Sequence, residues 1–266
     1  MIVARDAVAR VVEVVAHPLP YFTLVLEVPD AYADVAAGQF VMLETTGGLE
    51  PYLRRAFSVA DVSKRAGVLC VELLVKVVGR GTRALAALKR GERRALLGPL
   101  GRPFALPERG RLALVAGGVG SAPLLLAGRR LAERGVAFDF FYGGRGRGDL
   151  PRRADFERLA VASGGRLNVA TEDGSEGFAG RVTEALGAAL AGGARYRELF
   201  ACGPMAMLAA LARLAREQSL PGQAALETEM GCGFGACLGC AVPHVEGRYA
   251  LCCRDGPVFR LDEVRW

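Results

Sequence analysis

Lysine, asparagine, histidine and tryptophan are nearly missing from this 266-residue chain, which has three lysines (Lys64, Lys76, Lys89), one asparagine (Asn168), two histidines (His17, His244) and one tryptophan. The formal charge of +6 is therefore carried almost wholly by arginine. Scarce amides fit a heat-stable protein, but scarce lysine runs against the usual hyperthermophile pattern, so a coding bias towards arginine accounts for it equally well. No basic segment is interleaved with aromatic residues and no nucleic-acid motif is present, so no nucleic-acid partner is expected. Two histidines so far apart in the chain do not suggest a Rieske pair. No general base stands in a recognisable context. Long apolar runs are missing too: the uncharged stretch over 112–128 is short for a membrane span and is broken by GGVGSAP. The opening MIVARDAVARVVEVVAH carries charge at Arg5, Asp6, Arg10 and Glu13, so it lacks the apolar core of a signal peptide, and a cytoplasmic location is expected.

Half of the chain is apolar, which at this length supports a large core and suggests more than one domain. Residues 1–105 hold short β-rich runs (VARVVEVVA, YFTLVLEV, QFVMLET, FSVADV, VLCVELLVKVV) separated by Pro, Gly and Asp, with one helical stretch, TRALAALKRG. That texture predicts an antiparallel β-barrel. Over 106–221 strand-like and helical segments alternate, from RLALVAGG with PLLLAGRRLAERG to ELFACGP with MAMLAALARLAREQ, which predicts a parallel α/β sheet covered on both faces. Residues 222–266 are rich in Gly and Cys, too few to build a core of their own, and are expected to be held by whatever the cysteines bind.

Five of the seven cysteines lie in that last segment, as Cys232-x4-Cys237-x2-Cys240 followed by Cys252 and Cys253. In a compartment that keeps thiols reduced, clustered cysteines bind metal or do redox chemistry. The spacing is not the paired pattern of a zinc site; it is the plant-type 2Fe–2S spacing, in which three thiolates wrap a cluster and a distant fourth closes it. Gly231, Gly233, Gly235 and Gly239 suit a loop that turns its amides to the cluster sulfurs. A zinc reading would recruit His244, which is more simply a loop histidine.

A cluster moves single electrons, so a partner cofactor is expected. Arg55-Ala56-Phe57-Ser58 offers a guanidinium, an aromatic face and a hydroxyl at a strand start, although Phe57 could equally be core and Arg55 a surface charge. Gly79 and Gly81 precede Thr82 at a helix start, as an anion site or merely as a capped helix. In LALVAGGVGSAP, Gly117, Gly118 and Gly120 leave a strand and Pro123 opens a helix, a second pyrophosphate approach or merely a tight β-to-α turn. Cys202, Gly203 and Pro204 end a later strand, with Cys202 near a nicotinamide or a small buried thiol. Glu172 and Asp173 follow the third strand of this region and would favour a ribose 2′-hydroxyl over a 2′-phosphate, or simply cap the turn TEDGS.

The motifs RAFS, GRGT, GPLGRPF, GGVGSAP, YGGR, TEDGSEGFAG, ACGPM, CGFGACLGC and CCRDGPVF, in that order, make the whole chain resemble the electron transfer subunits of NAD-dependent, B-type dihydroorotate dehydrogenases, a branch of the ferredoxin reductase family. The resemblance implies an FAD-binding barrel, an NAD-binding α/β domain and a C-terminal 2Fe–2S lobe. It assigns Arg55, Ala56, Phe57, Ser58, Leu74, Val75, Lys76, Gly81 and Thr82 to FAD. It assigns Cys232, Cys237, Cys240 and Cys253 to the cluster, the last because the fourth cysteine of the family directly precedes the stretch matching RDGPVF. An extended backbone there would turn Cys252 the other way. Ala56 stands where many relatives have proline, and Phe57 where ferredoxin reductases generally have tyrosine. The implied partner is an FMN-containing dihydroorotate dehydrogenase catalytic subunit, in a heterotetramer of two of each chain, whose electrons pass through the cluster and FAD to NAD. Phe234, Leu238, Val242 and Val258 are the apolar residues expected at its docking surface. The small flavoprotein subunits of NADH-dependent ferredoxin:NADP oxidoreductases and sulfide dehydrogenases look similar, although they tend to replace one cluster cysteine with aspartate. A zinc-stabilised nucleotide-binding module is the non-redox alternative.

Overall fold

The computed structural model describes residues 4–48 and 50–266. The first region folds as β1 (Arg5–Ala16), β2 (Tyr21–Glu27), β3 (Phe40–Leu43), β4 (Arg55–Ser58), β5 (Asp61–Arg65), β6 (Val68–Lys76), α1 (Arg80–Ala86) and β7 (Arg93–Leu100). All pairings are antiparallel, in the order β4-β3-β7-β1-β2-β6-β5. The two edge strands are consecutive in the chain, joined only through Val59 and Ala60, so the sheet curls into a barrel. Strands such as YFTLVLE put β-branched and aromatic side chains on both faces and are buried along nearly their whole length. The strand β7, RRALLGPL, was hidden from its sequence pattern by arginines at one end and Gly-Pro at the other.

The second region follows as β8 (Leu112–Gly117), α2 (Ala122–Glu133), β9 (Phe138–Gly144), α3 (Arg153–Ala162), β10 (Leu167–Thr171), β11 (Phe178–Ala179), α4 (Val182–Ala191), β12 (Glu198–Cys202), α5 (Met205–Glu217) and β13 (Gly222–Ala225). Its strands are parallel in the order β11-β10-β9-β8-β12-β13. Successive strands run one way across the sheet from β8 through β9 and β10 and the other way from β12 to β13, so the C-terminal ends of the parallel neighbours β8 and β12 form the switch point where such sheets bind ligands.

The remaining residues give β14 (Ala241–Pro243), β15 (Tyr249–Leu251), a single helical turn α6 (Cys252–Asp255) and β16 (Val258–Arg260). β16 adds antiparallel to β13 and completes the α/β sheet. A boundary at 221/222 therefore cuts through this sheet, with β13 on its far side. The tail also meets the barrel, where the Arg102 amide donates to the Gly256 carbonyl at 2.5 Å. Barrel and sheet are joined directly as well. Glu72, 3 % exposed on β6, receives Arg152 at 2.5 Å and also Arg65, and Asp61 receives Arg129 at 2.7 Å. Arg152 adopts a left-handed φ of 60° at the start of α3. No helix among the described residues is long and apolar enough to cross a membrane.

Candidate functional site

A cleft of about 970 Å³ runs between barrel and sheet. Its barrel wall comes from strand ends: Arg55, Ala56, Phe57 and Ser58 of β4, Leu74, Val75 and Lys76 of β6, and Gly81 and Thr82 at the start of α1. Leu43 to Phe40 of β3 pair with Arg55 to Ser58, so this wall is rigidly positioned. Phe57 both lines the cleft and packs on the core, so the two readings of it hold together. The Arg55 guanidinium, in the cleft wall, donates to the Leu53 and Arg54 carbonyls. The Thr82 hydroxyl closes its own turn, accepting the Val78 and Gly79 amides at 2.9 and 3.1 Å. Tyr21, which the sequence did not single out, pairs with Lys76 across β2 and β6, and the Lys76 ammonium lies 5.4 Å from its ring centre. The Tyr21 hydroxyl then donates to Asp149 of the opposite wall at 2.7 Å.

On the sheet side, Gly117, Gly118, Glu172 and Pro204 line the cleft, whereas Gly120, Asp173, Cys202 and Gly203 do not. Gly120 is a packing glycine: a Cβ there would lie 2.5 Å from the Cys202 carbonyl oxygen. Gly203 is likewise pressed against Met207 and the Gly117 amide. Asp173 caps its turn, its carboxylate accepting the Ser175 amide at 2.9 Å. Cys202 is a buried thiol 3.9 Å from the Glu227 carboxylate, and burial pushes its pKa well up. Glu227 lines the cleft, and desolvation of its carboxyl pushes its pKa up in turn. Glu227 and its neighbours at 226–230 carried no sequence signal, because their place in the wall depends on β13 completing the sheet.

The same segment leads from the cleft into the cysteine loop. Met230 lines the cleft and Cys232 stands two residues on. Two contacts link the cysteines of the loop. The Cys237 amide donates to the Cys232 sulfur at 3.4 Å, and the Cys240 and Cys253 sulfurs are 3.2 Å apart. Among the described residues no group of three or more metal-ligating side chains converges on one point. The Cys240–Cys253 sulfur pair suits two thiolates on one iron of a two-iron cluster. Burial opposes ionisation of the Cys232 thiol, but the amides of Cys237, Phe234 and Ala236 face its sulfur and hold it down to about 6. Gly233 and Gly235 take left-handed φ of 83° and 90°, and Leu238 takes 60°; Gly231 and Gly239 have no such need.

Cys252 and Cys253 sit on the turn of α6, not on the extended backbone expected for them. They still diverge, since consecutive helical residues point about 100° apart. The Cys252 sulfur turns to the Leu226 carbonyl at 3.5 Å. His244 is 7 % exposed and its Nδ1 accepts the Glu246 amide, so it belongs to the β14–β15 hairpin. Of the four apolar residues expected at the surface, Phe234 and Leu238 are 58 % and 61 % exposed, but Val242 and Val258 are buried. Val242 packs under the hairpin, and Val258 closes on Gly38 of the barrel because β16 is part of the sheet.

Three family profiles match successive parts of the chain: the oxidoreductase FAD-binding domain over residues 7–104, the oxidoreductase NAD-binding domain over 114–213, and the iron-sulfur cluster binding domain of dihydroorotate dehydrogenase B over 227–265. FAD, NAD and an iron-sulfur cluster are thus the groups this chain binds, consistent with the cleft and the paired thiols. Among solved structures, one from the NADH-dependent reduced ferredoxin-NADP oxidoreductase superposes with a TM-score of 0.85 at 31 % identity, over 97 % of this chain and 90 % of that one. An Amycolatopsis cytochrome P450 reductase superposes at 0.67 and 26 %, over 81 % of this chain and 67 % of that one. The dihydroorotate dehydrogenase B (NAD(+)) electron transfer subunit of Desulforamulus reducens is 36 % identical over 98 % of both chains, and that of Geobacillus thermodenitrificans is 39 % identical over 85 % of this chain and 86 % of its own. With such identity along nearly its whole length, the chain belongs to the family of dihydroorotate dehydrogenase B electron transfer subunits.

Proposed function

We propose that this chain relays electrons between NAD and a separate FMN-containing subunit that oxidises dihydroorotate, with Cys232, Cys237, Cys240 and Cys253 as the cluster ligands. The observation that carries the reading is the segment 226–230, which walls the cleft and continues directly into the cysteine loop. Cluster and flavin are thereby held on one short stretch of backbone. When bound, FAD supplies the exchange between hydride transfer with a nicotinamide and single-electron transfer with the cluster. The chain's own residues hold and orient. Arg55 faces phosphate, the Phe57 ring flanks the flavin site, and Gly117 and Gly118 let a pyrophosphate approach the backbone. Pro204, Met207 and Ala210 make that wall apolar and keep water from the reacting faces. Exposed Phe234 and Leu238 beside the cysteines support docking of the catalytic subunit over this loop. Two copies of each chain, in the cytoplasm where thiols stay reduced, complete the reading.

The purified chain, loaded with FAD and cluster, is expected to pass electrons from NADH to an artificial acceptor and to leave dihydroorotate and orotate untouched. Adding the catalytic subunit should restore orotate-linked turnover. Dihydroorotate oxidation by the chain alone would sink the relay reading.

A further inference from the structure

Barrel and sheet are linked both outside the cleft and across it. The pairs Arg152–Glu72 and Arg129–Asp61 join them away from the cleft, since none of these four residues lines it. Inside the cleft the walls are bridged by Tyr21 of β2, whose hydroxyl donates to the Asp149 carboxylate at 2.7 Å. Each partner is fixed on its own side. The Tyr21 amide donates to the Pro18 carbonyl and its carbonyl accepts the His17 amide, both at 3.1 Å, which closes the turn between β1 and β2. Asp149 ends a helical turn over Arg147–Asp149, where its amide donates to the Gly146 carbonyl at 2.9 Å. It also packs against Gly144, where an added Cβ would lie 2.9 Å from the Asp149 Cβ. The Arg147 amide and guanidinium are held in turn by the Ser175 hydroxyl and carbonyl, at 2.9 and 3.0 Å. Burial and the Asp149 carboxylate both push the Tyr21 phenol up, so it stays protonated and donates.

The bridge stands where the two sides of the cleft meet. Lys76, whose ammonium lies over the Tyr21 ring, belongs to the flavin wall, and a Cβ at Gly118 of the nucleotide wall would lie 3.6 Å from the Tyr21 hydroxyl. Two bodies joined along one side can still rotate about that joint, which changes the distance between a ring held by one and a ring held by the other. A bond across the gap removes that freedom. Hydride transfer depends steeply on this distance, since the reacting atoms must come to within about 3–3.5 Å. We propose that Tyr21 and Asp149 form a clasp across the cleft that fixes the barrel and its flavin against the sheet and its nicotinamide, and that both are positioning residues for hydride transfer. The proposal rests on reading the cleft as a shared flavin and nicotinamide site.

The test uses the FAD- and cluster-loaded chain. One readout is the long-wavelength absorption that a nicotinamide stacked on a flavin gives; the other is the limiting rate of flavin reduction by excess NADH in anaerobic rapid mixing, with its apparent Kd. Tyr21→Phe and Asp149→Ala are each expected to slow reduction by about tenfold and to weaken the absorption, while the apparent Kd moves by less than about threefold and FAD content is unchanged. Asp149→Asn keeps a carbonyl oxygen to accept the phenol and should recover most of both signals. The double variant Tyr21→Phe/Asp149→Ala should be no worse than either single one, because the two side chains act as a unit. Wild-type absorption and rate retained in Tyr21→Phe, or losses that add in the double variant, overturn the clasp and leave the reading of the cleft in place. A wild type that shows neither the absorption nor flavin reduction by NADH overturns the reading of the cleft, and the proposal with it.

Discussion

Along the cleft, much of the wall is carried at the ends of strands: Arg55 and Ser58 bracket β4, Lys76 ends β6, and Gly117 ends β8. The loop from Cys232 to Cys240 has no regular structure and is little buried apart from Gly233, pressed on Met42 and Leu100, and Cys240. In the first region packing places the site, and the ligand finds it ready. In the second the ligand must supply the cohesion, because a two-stranded hairpin and one helical turn cannot bury enough apolar surface to hold a loop with left-handed φ at Gly233, Gly235 and Leu238. Substitution should therefore be graded in the cleft and all-or-none in the loop.

The sharpest break is between neighbouring cysteines. Cys253→Ser is expected to abolish the visible absorption of the cluster, and Cys252→Ser to retain it, since the Cys252 sulfur faces the Leu226 carbonyl. Retention in both, or loss in the Cys252 variant alone, would reassign the fourth ligand.

Next in size is the joint between barrel and sheet. Arg152→Met leaves buried Glu72 with Arg65 alone and should lower unfolding free energy by roughly 2 kcal/mol, less than for a pair with no second partner. Chemical denaturation measures it, and an unchanged midpoint would mean that Arg65 alone compensates the charge.

Within the cleft, Gly120→Ala presses a methyl onto the Cys202 backbone and should cost about 1–3 kcal/mol, weakening nucleotide binding while the cluster absorption persists. Loss of the cluster in this variant would show that the two regions are not separable. At the loop surface, Phe234→Asp is expected to weaken coupling to the catalytic subunit by about tenfold and to spare NADH oxidation with an artificial acceptor. Full coupling would move the docking surface elsewhere.

The smallest expected effect lies in the acid limb of stability. Burial raises the Asp139 carboxyl, but Arg111 at 2.6 Å and the Tyr196 hydroxyl at 2.8 Å outweigh it and hold the group below the usual carboxylate range. A depressed folded pKa stabilises above the unfolded value of about 3.9 and loses that contribution as pH falls through the folded value. Melting temperature should thus drop more steeply below about pH 4 in the wild type than in Asp139→Asn. Parallel curves would show that Asp139 adds nothing.

Arg55 to Ser58, Gly81 and Thr82 were legible because a strand and a helix start are local events, whereas Leu74, Val75 and Lys76 came only through the family resemblance; all nine reach the cleft wall. On the nucleotide side only half of the expected positions reach it. Glycines that let a loop approach a ligand and glycines that let one loop approach another look alike in sequence; Gly120 and Gly203 proved to be of the second kind. Tyr21 was illegible for the opposite reason: YFTLVLE reads as plain buried strand, and only its pairing with Lys76 puts the ring in the cleft.

The cysteine spacing, the alternation of the middle region and the density of short strands at the start are properties of neighbouring residues, so the sequence by itself determined the three-part order and the kind of cluster. Tertiary structure alone decided what depends on contacts between distant segments. β16 joins β13 across the sheet, which buries Val258 and sets 226–230 as the wall between cleft and cysteines. The turn of α6 sends Cys253 towards Cys240 and Cys252 away from it. Backbone hydrogen bonds commit Asp173 and Glu184, and ion pairs with Arg153 and Arg147 commit Glu176, because which polar groups meet is settled by distance in space.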